Sequence, residues 1–212
     1  MKTLIVLPTY NEAAPLLKHL ELEQGEFRRI TDETGVLIGG IGMLSTAVHL
    51  CAFCSQQMPK RIIMAGVAGY FSEALSPGDV VEVVSQQYGD LGTTDNNTFL
   101  DLNAMGLTYP TEIPNGRLTN TPQFNMLKPV SGISVNTVTG TMSTAEMLKK
   151  HFSVDVECME GIALFWMCQK NNIPFSEIRA ISNRVGQRNK TQWALEKAIA
   201  NLTHFLMNHV VE

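Results

Sequence analysis

The chain has 212 residues, of which 44% are hydrophobic and 17% charged, with a formal net charge of −4. That length and apolar content suit a globular domain with a sizeable core and exclude a disordered chain. Basic residues are scattered, doubling only at Arg28-Arg29, Lys60-Arg61 and Lys149-Lys150, so the composition argues against a nucleic-acid partner.

The N-terminal apolar run ends at Pro8 and is too short for a signal segment, and no window approaches the roughly 18 apolar residues of a membrane span. A cytoplasmic chain with no membrane association is expected. The four cysteines, Cys51, Cys54, Cys158 and Cys168, are then free thiols by default. Cys51-Ala-Phe-Cys54 is formally a C-x-x-C, but no second ligand pair stands at zinc spacing, and the pair reads as part of a buried helix. Neither a metal nor a cofactor is expected.

In chain order, Thr3–Leu7 reads as a buried strand and Glu12–Glu21 as a helix capped by Asn11. Phe27–Ile30 and Gly35–Ile38 read as short strands. The cluster Gly39-Gly40-Ile41-Gly42 leads into a helix over Leu44–Gln57. Arg61–Ala65 is a strand ending in Gly66-Val67-Ala68-Gly69, and Asp79–Gln87 is a further strand. Between Tyr88 and Pro129 the pattern weakens, with a helix suggested at Phe99–Met105. Such a stretch is too long for an ordinary connection. Order returns with a strand at Val130–Val135, a helix at Ser143–His151, a strand at Val154–Glu157 and a helix at Met159–Asn171. Ser176–Ser182 is a strand, and Thr191–Val210 a long amphipathic helix. Alternating strands and helices predict an α/β fold: a single-domain three-layer α/β/α sandwich around a mixed, partly parallel sheet. Residues 1–212 form one domain in this reading, with 88–129 a lid or substrate-specificity excursion.

In open α/β sheets ligands bind at the carboxyl ends of strands. The candidates there are Glu12, the two glycine-rich runs, the segment Asn136–Thr144 with Met142, the Met159-Glu160 pair, Arg179 and Asn183. Neither glycine run matches a dinucleotide or phosphate-loop fingerprint. Either cradles a ligand with backbone N–H groups or simply turns the chain. By position alone Glu160 is a helix-start glutamate favoured by the helix dipole.

An ordered series runs Met159-Glu160-Gly161-x-Ala163, Ile173-Pro174-Phe175, then Ile178-Arg179-Ala180-Ile181-Ser182-Asn183. It resembles the nucleoside phosphorylase and nucleosidase superfamily, above all its methylthioadenosine/S-adenosylhomocysteine nucleosidase branch. Glu12, the Gly-Ile-Gly run and Gly66–Gly69 fall in that family's order. Where the adenosine-cleaving enzymes carry aspartate after Ile-Ser, this chain has Asn183. The following Val185-Gly186-Gln187-Arg188 and Trp193-Ala194-Leu195, with Tyr88-Gly89-Asp90-Leu91-Gly92, look like the futalosine hydrolase branch. The resemblance implies a hydrolase that releases hypoxanthine from futalosine in menaquinone biosynthesis. It implies that Glu160 holds the ribose, with Met159, Gly42, Val67, Ala68, Gly69 and Met142 around the substrate. Glu12 would orient the attacking water, Arg179 would hold that water and the carboxylates or serve as a structural ion pair, and Asn183 would meet the base. It also implies a homodimer or larger homo-oligomer acting on a small purine nucleoside. Futalosine carries a benzoate-bearing 5′ tail, for which Phe99, Leu100, Leu107 and Tyr109 are candidate lining residues.

The chemistry of Asn183 agrees with this branch. A 6-oxopurine presents an acceptor at O6, which an amide NH₂ satisfies, while the amide oxygen accepts from a protonated N7. A 6-aminopurine suits a carboxyl group instead. Rival readings are a methylthioadenosine/S-adenosylhomocysteine or aminofutalosine nucleosidase, against which Asn183 speaks, and a purine nucleoside phosphorylase, whose phosphate Glu12 would repel. A non-catalytic nucleoside-binding protein is opposed by the presence of both Glu12 and Glu160. Trp166 and Trp193 read as packing residues.

Overall fold

The structure, a computed structural model, describes residues 1–96, 98–189, 191 and 193–211. Eleven strands are seen among them: β1 Thr3–Leu7, β2 Phe27–Arg29, β3 Thr34–Ile38, β4 Arg61–Tyr70, β5 Val80–Tyr88, β6 Gly92–Asp95, β7 Thr98–Asp101, β8 Arg117–Thr119, β9 Lys128–Ser134, β10 Val156–Cys158 and β11 Phe175–Arg184. The helices are α1 Tyr10–His19, α2 Met43–Gln56, α3 Met142–Phe152, α4 Gly161–Lys170 and α5 Leu195–His209. The main sheet runs β10-β9-β5-β11-β4-β1-β3-β2, with β8 added to β5. It is mixed: β1 lies parallel to β3 and β4, and β4 to β11, while β11 and β5 are antiparallel.

β10 turns back to pair antiparallel with β4, so β4, β11, β5, β9 and β10 close on one another. Inside that closure lie Ala68, Val81, Val83, Val130, Val156 and Ile181, all buried. α1 and α5 cover one face of the sheet, packing Leu16, Leu17, Leu202 and Phe205 on Ile5, Leu7 and Ile63. α2 and α4 cover the other, where Leu50, Leu164 and Phe165 meet Leu4, Val6 and Met64. These are the three layers that the alternation predicted.

Several boundaries move, each for a physical reason. α1 is capped by Thr9, not Asn11: the Thr9 Oγ1 accepts from the Glu12 N–H at 3.2 Å and donates to the Glu12 carboxylate at 2.6 Å, a reciprocal capping pair. β4 does not end at Ala65 but runs on through Gly66–Gly69 to Tyr70, so that run is strand and not loop. The helix expected at Phe99–Met105 is instead β7, paired with β6 as a hairpin and followed by turns. Phe99 packs its ring against His151 and Phe152 of α3, and that tertiary contact decides against the local helical spacing. α5 starts at Leu195 rather than Thr191, and Lys190 and Gln192 lie outside the described residues. Ile162–Met167 is packed within the chain, since α4 is enclosed between α2 and the sheet. Among the described residues no helix is long and apolar enough to cross a membrane.

Candidate active site

The carboxyl ends of β1, β4, β10 and β11 open onto a cleft of about 300 Å³. Glu12 enters it from the first turn of α1, Met159 and Glu160 from the β10–α4 junction, and Val67, Ala68 and Gly69 from the end of β4. Asn183 enters from the end of β11, and Ile199 and Leu195 from α5.

Four charged side chains meet beneath this opening. Glu12, Glu160, Glu177 and Arg179 are all buried, Arg179 at 0% exposure. The Arg179 Nε donates to Glu177 Oε1 at 2.8 Å, and its Nη2 lies 3.1 Å from Glu160 Oε2. The other Glu160 oxygen accepts from the Gly42 N–H at 3.1 Å. Glu160 is therefore the residue before the first turn of α4, yet its carboxylate serves the start of α2, 118 positions away in sequence. There it meets the positive end of that helix as well as the guanidinium. Gly42, at φ +86°, holds a backbone shape that glycine adopts without strain.

Glu12 is anchored on the other side. Its Oε1 accepts from the Val67 N–H at 3.0 Å and its Oε2 from Thr9. Gly66 makes room for both groups, because a Cβ there would come within 2.6 Å of Arg179 Nη1 and 3.1 Å of Glu12 Oε1. Burial pushes the Glu12 carboxyl above the usual carboxylate range. The bonds from Thr9 and Val67 and the Arg179 charge pull it back in part, and Glu160 pushes it up. Burial opposes the charge on Arg179, but the carboxylates of Glu177 and Glu160 outweigh it and raise its pKa.

Sequence reasoning missed the layer below. The Gln86 Nε2 donates to Glu177 Oε2 at 2.7 Å, and its Oε1 accepts from Ser134 Oγ at 3.0 Å, which in turn accepts from the Ile162 N–H. Cys158 sits against the same Glu177, and burial, then that carboxylate, push its thiol up to about 12, so it stays protonated. Gly161 is required here, since a Cβ would fall 2.0 Å from Gln86 Nε2 and 2.6 Å from Glu177 Oε2. Glu177 and Gln86 stood inside predicted strands, where no local pattern marks a buried polar pair.

Asn183 reaches the cleft by a register shift. Ile181 pairs with Ala68 and Asn183 with Gly69, leaving Ser182 as an extra residue in β11. Strict alternation would put Asn183 on the inward face of Ile181, and the bulge turns it outward. Its Oδ1 accepts from Ser182 Oγ at 2.7 Å and its Nδ2 donates to the Arg184 carbonyl at 2.9 Å. One donor and one acceptor of the amide remain for a ligand. Trp193, expected only to pack, lines the cleft with Arg188 5.2 Å over its ring.

Two residues expected around the substrate lie off the wall of this cleft. Met142 does not line this cleft: it is 42% exposed and borders an adjoining hollow with Tyr70 and Trp193. Gly42 acts through Glu160 instead of facing the opening itself. Of the described residues 88–129, none lines the cleft. Phe99 belongs to a side core with α3, Tyr109 stacks on Tyr88, and Leu107 is exposed. All four cysteines are free, with Cys51 exposed and Cys54 buried.

A closed mixed sheet between helical layers, with a carboxylate pair around one arginine at its strand ends, defines a class of small-molecule enzyme. The chain belongs to the phosphorylase superfamily, whose family model matches residues 4–210. It is 29% identical to the futalosine hydrolase of Acidothermus cellulolyticus over 83% of this chain and 75% of that protein. With the futalosine hydrolase of Thermus thermophilus it shares 27% identity over 82% of this chain and 79% of the relative. Among solved structures, the futalosine hydrolase of Helicobacter pylori superposes with a TM-score of 0.81 at 19% identity, covering 98% of this chain and 96% of that one. The 5′-methylthioadenosine/S-adenosylhomocysteine nucleosidase of Neisseria meningitidis, in complex with methylthio-immucillin-A, superposes at 0.79 with 20% identity, covering 100% and 99%. These last two likenesses concern the fold.

Proposed function

We propose that this chain hydrolyses the N-glycosidic bond of futalosine, releasing hypoxanthine in menaquinone biosynthesis. The observation that carries the reading is Asn183, an amide at the strand end where it meets a ligand, in a chain whose curated relatives include futalosine hydrolases. Glu160, fixed by Arg179 and the Gly42 N–H, is the ribose anchor. A carboxylate there also stabilises the positive charge that develops on the sugar as the bond breaks. Glu12 orients and deprotonates the attacking water. Its burial favours taking up a proton, which makes it a stronger base than an exposed carboxylate. Met159, Val67, Ala68 and Gly69 form the wall against which the nucleoside lies. Arg179 positions the carboxylates from behind and does not line the cleft.

The enzyme works in the cytoplasm as a homodimer or larger homo-oligomer. Support for the assembly is the stripe of Ile41, just before α2, with Leu44 and Val48 on it, respectively 59%, 78% and 56% exposed, beside the cleft. Residues 88–129 are a specificity excursion that acts on the far end of the substrate across the subunit boundary.

Base release is measured with futalosine, inosine and methylthioadenosine side by side, with and without phosphate. Hypoxanthine released fastest from futalosine, independently of phosphate, is the expected outcome. Faster adenine release, or release that needs phosphate and yields ribose 1-phosphate, overturns the assignment.

A further inference from the structure

Glu157 is a third buried carboxylate on the cleft wall, beside Glu12 and Glu160, and the reaction above has no use for it. It pairs across the sheet with Gly69, and Gly69 pairs on its other side with Asn183. Directly paired residues share a face of the sheet, and Val156, Ala68 and Ile181 take the inward one. Glu157 and Asn183 therefore flank Gly69 on the outward face, two strand spacings apart, about 10 Å between backbones. Gly69 leaves room for the Val185 side chain, which a Cβ there would meet at 2.7 Å and which lines the same cleft.

From this juxtaposition we infer that Glu157 is a specificity-determining residue that accepts a hydrogen bond from N1–H of a 6-oxopurine held at the same time by Asn183. The inference rests on the reading of Asn183 as the base contact. Along one edge a 6-oxopurine presents N7, O6 and N1–H in order. Asn183 takes the first two, and the third is a donor that needs an acceptor. A 6-aminopurine has a bare acceptor at N1, which a carboxylate repels. Glu157 already accepts from the Thr139 N–H at 3.0 Å and from Thr139 Oγ1 at 2.5 Å. Both bonds fix the carboxylate against the β9–α3 connection, and each oxygen keeps a lone pair to spare. A site built to bond a donor rejects the analogue lacking it by orders of magnitude.

The test is isothermal titration of the intact chain with hypoxanthine, adenine and 1-deazahypoxanthine, which replaces N1–H by C–H without changing shape. For the wild type, 1-deazahypoxanthine is expected to bind about tenfold or more weaker than hypoxanthine. In Glu157→Gln the amide keeps both Thr139 contacts, donating to Oγ1 with one N–H and turning the other toward N1. The deaza penalty is then expected to vanish, and the preference for hypoxanthine over adenine to fall at least tenfold. Equal binding of hypoxanthine and its deaza analogue to the wild type overturns the role of Glu157 while leaving the 6-oxopurine reading intact. So does a Glu157→Gln variant that weakens all three bases alike. Adenine bound as tightly as hypoxanthine by the wild type, or no base bound at all, sinks both. The wild-type arm decides the matter even where the variant does not fold.

Discussion

At the scale of single residues, the site sets a cost in stability against chemistry. The Glu12 pKa is raised in the folded chain, so the fold prefers the protonated form. The sign follows by linkage: this group's contribution to stability is fully present below the unfolded pKa and is lost as pH rises through the folded one. At neutral pH its charge is therefore a burden on the fold. Glu12→Gln is expected to abolish hydrolysis, by at least about 10²-fold, and to raise the melting temperature by about 2–4 °C. Thermal unfolding beside an activity assay checks both halves. In the wild type, kcat/KM should rise with pH along a limb above the usual carboxylate range, because the base works only when deprotonated. Asn183→Asp tests the base contact. It should reduce hypoxanthine release and improve adenine release, shifting the ratio of the two about tenfold or more, as competition assays would reveal.

At the scale of elements, the site depends on strands that bend their own rules. The Ser182 bulge turns Asn183 outward, and Gly66 lets Arg179 and Glu12 approach the backbone of β4. Gly66→Ala should displace one of the two, with a drop in kcat of about 10²-fold that outstrips its effect on folding. Glu177 belongs to this scale too, as a positioning residue that acts through Arg179. In Glu177→Gln the acceptor for Arg179 Nε survives but the charge does not. The guanidinium should then swing its pairing toward Glu160, lowering kcat about tenfold with KM little changed. A loss confined to thermal stability would count against that role. These devices explain what the sequence left unread. Gly66–Gly69 looked like a loop because glycine is rare inside strands, and Gln86 and Glu177 went unmarked because the two partners lie 91 positions apart.

At the scale of the whole molecule, the proposed assembly would place the exposed α2 stripe at the subunit boundary, close to the cleft. In the proposed assembly, Leu44→Asp combined with Val48→Asp would place like charges across the subunit boundary. Sedimentation should show a shift to monomer, and activity on a substrate with a long 5′ group should fall more than binding of the free base. A variant that remains dimeric would move the interface elsewhere.

By itself the sequence determined the layered α/β fold, because strand and helix periods follow from local patterns of side chains. It also marked Glu12, Glu160, Arg179 and Asn183, because strand ends in such folds are where polar residues meet a ligand. Only the tertiary structure decided how they work together. Closure of β10 onto β4 set Glu157 and Asn183 on either side of Gly69, and the start of α2 supplied the amide that holds Glu160. Met142 left the cleft and Glu177 entered the charge network for the same reason. Pairings between distant strands, and the one-residue shifts within them, carry no signature in a local stretch of sequence.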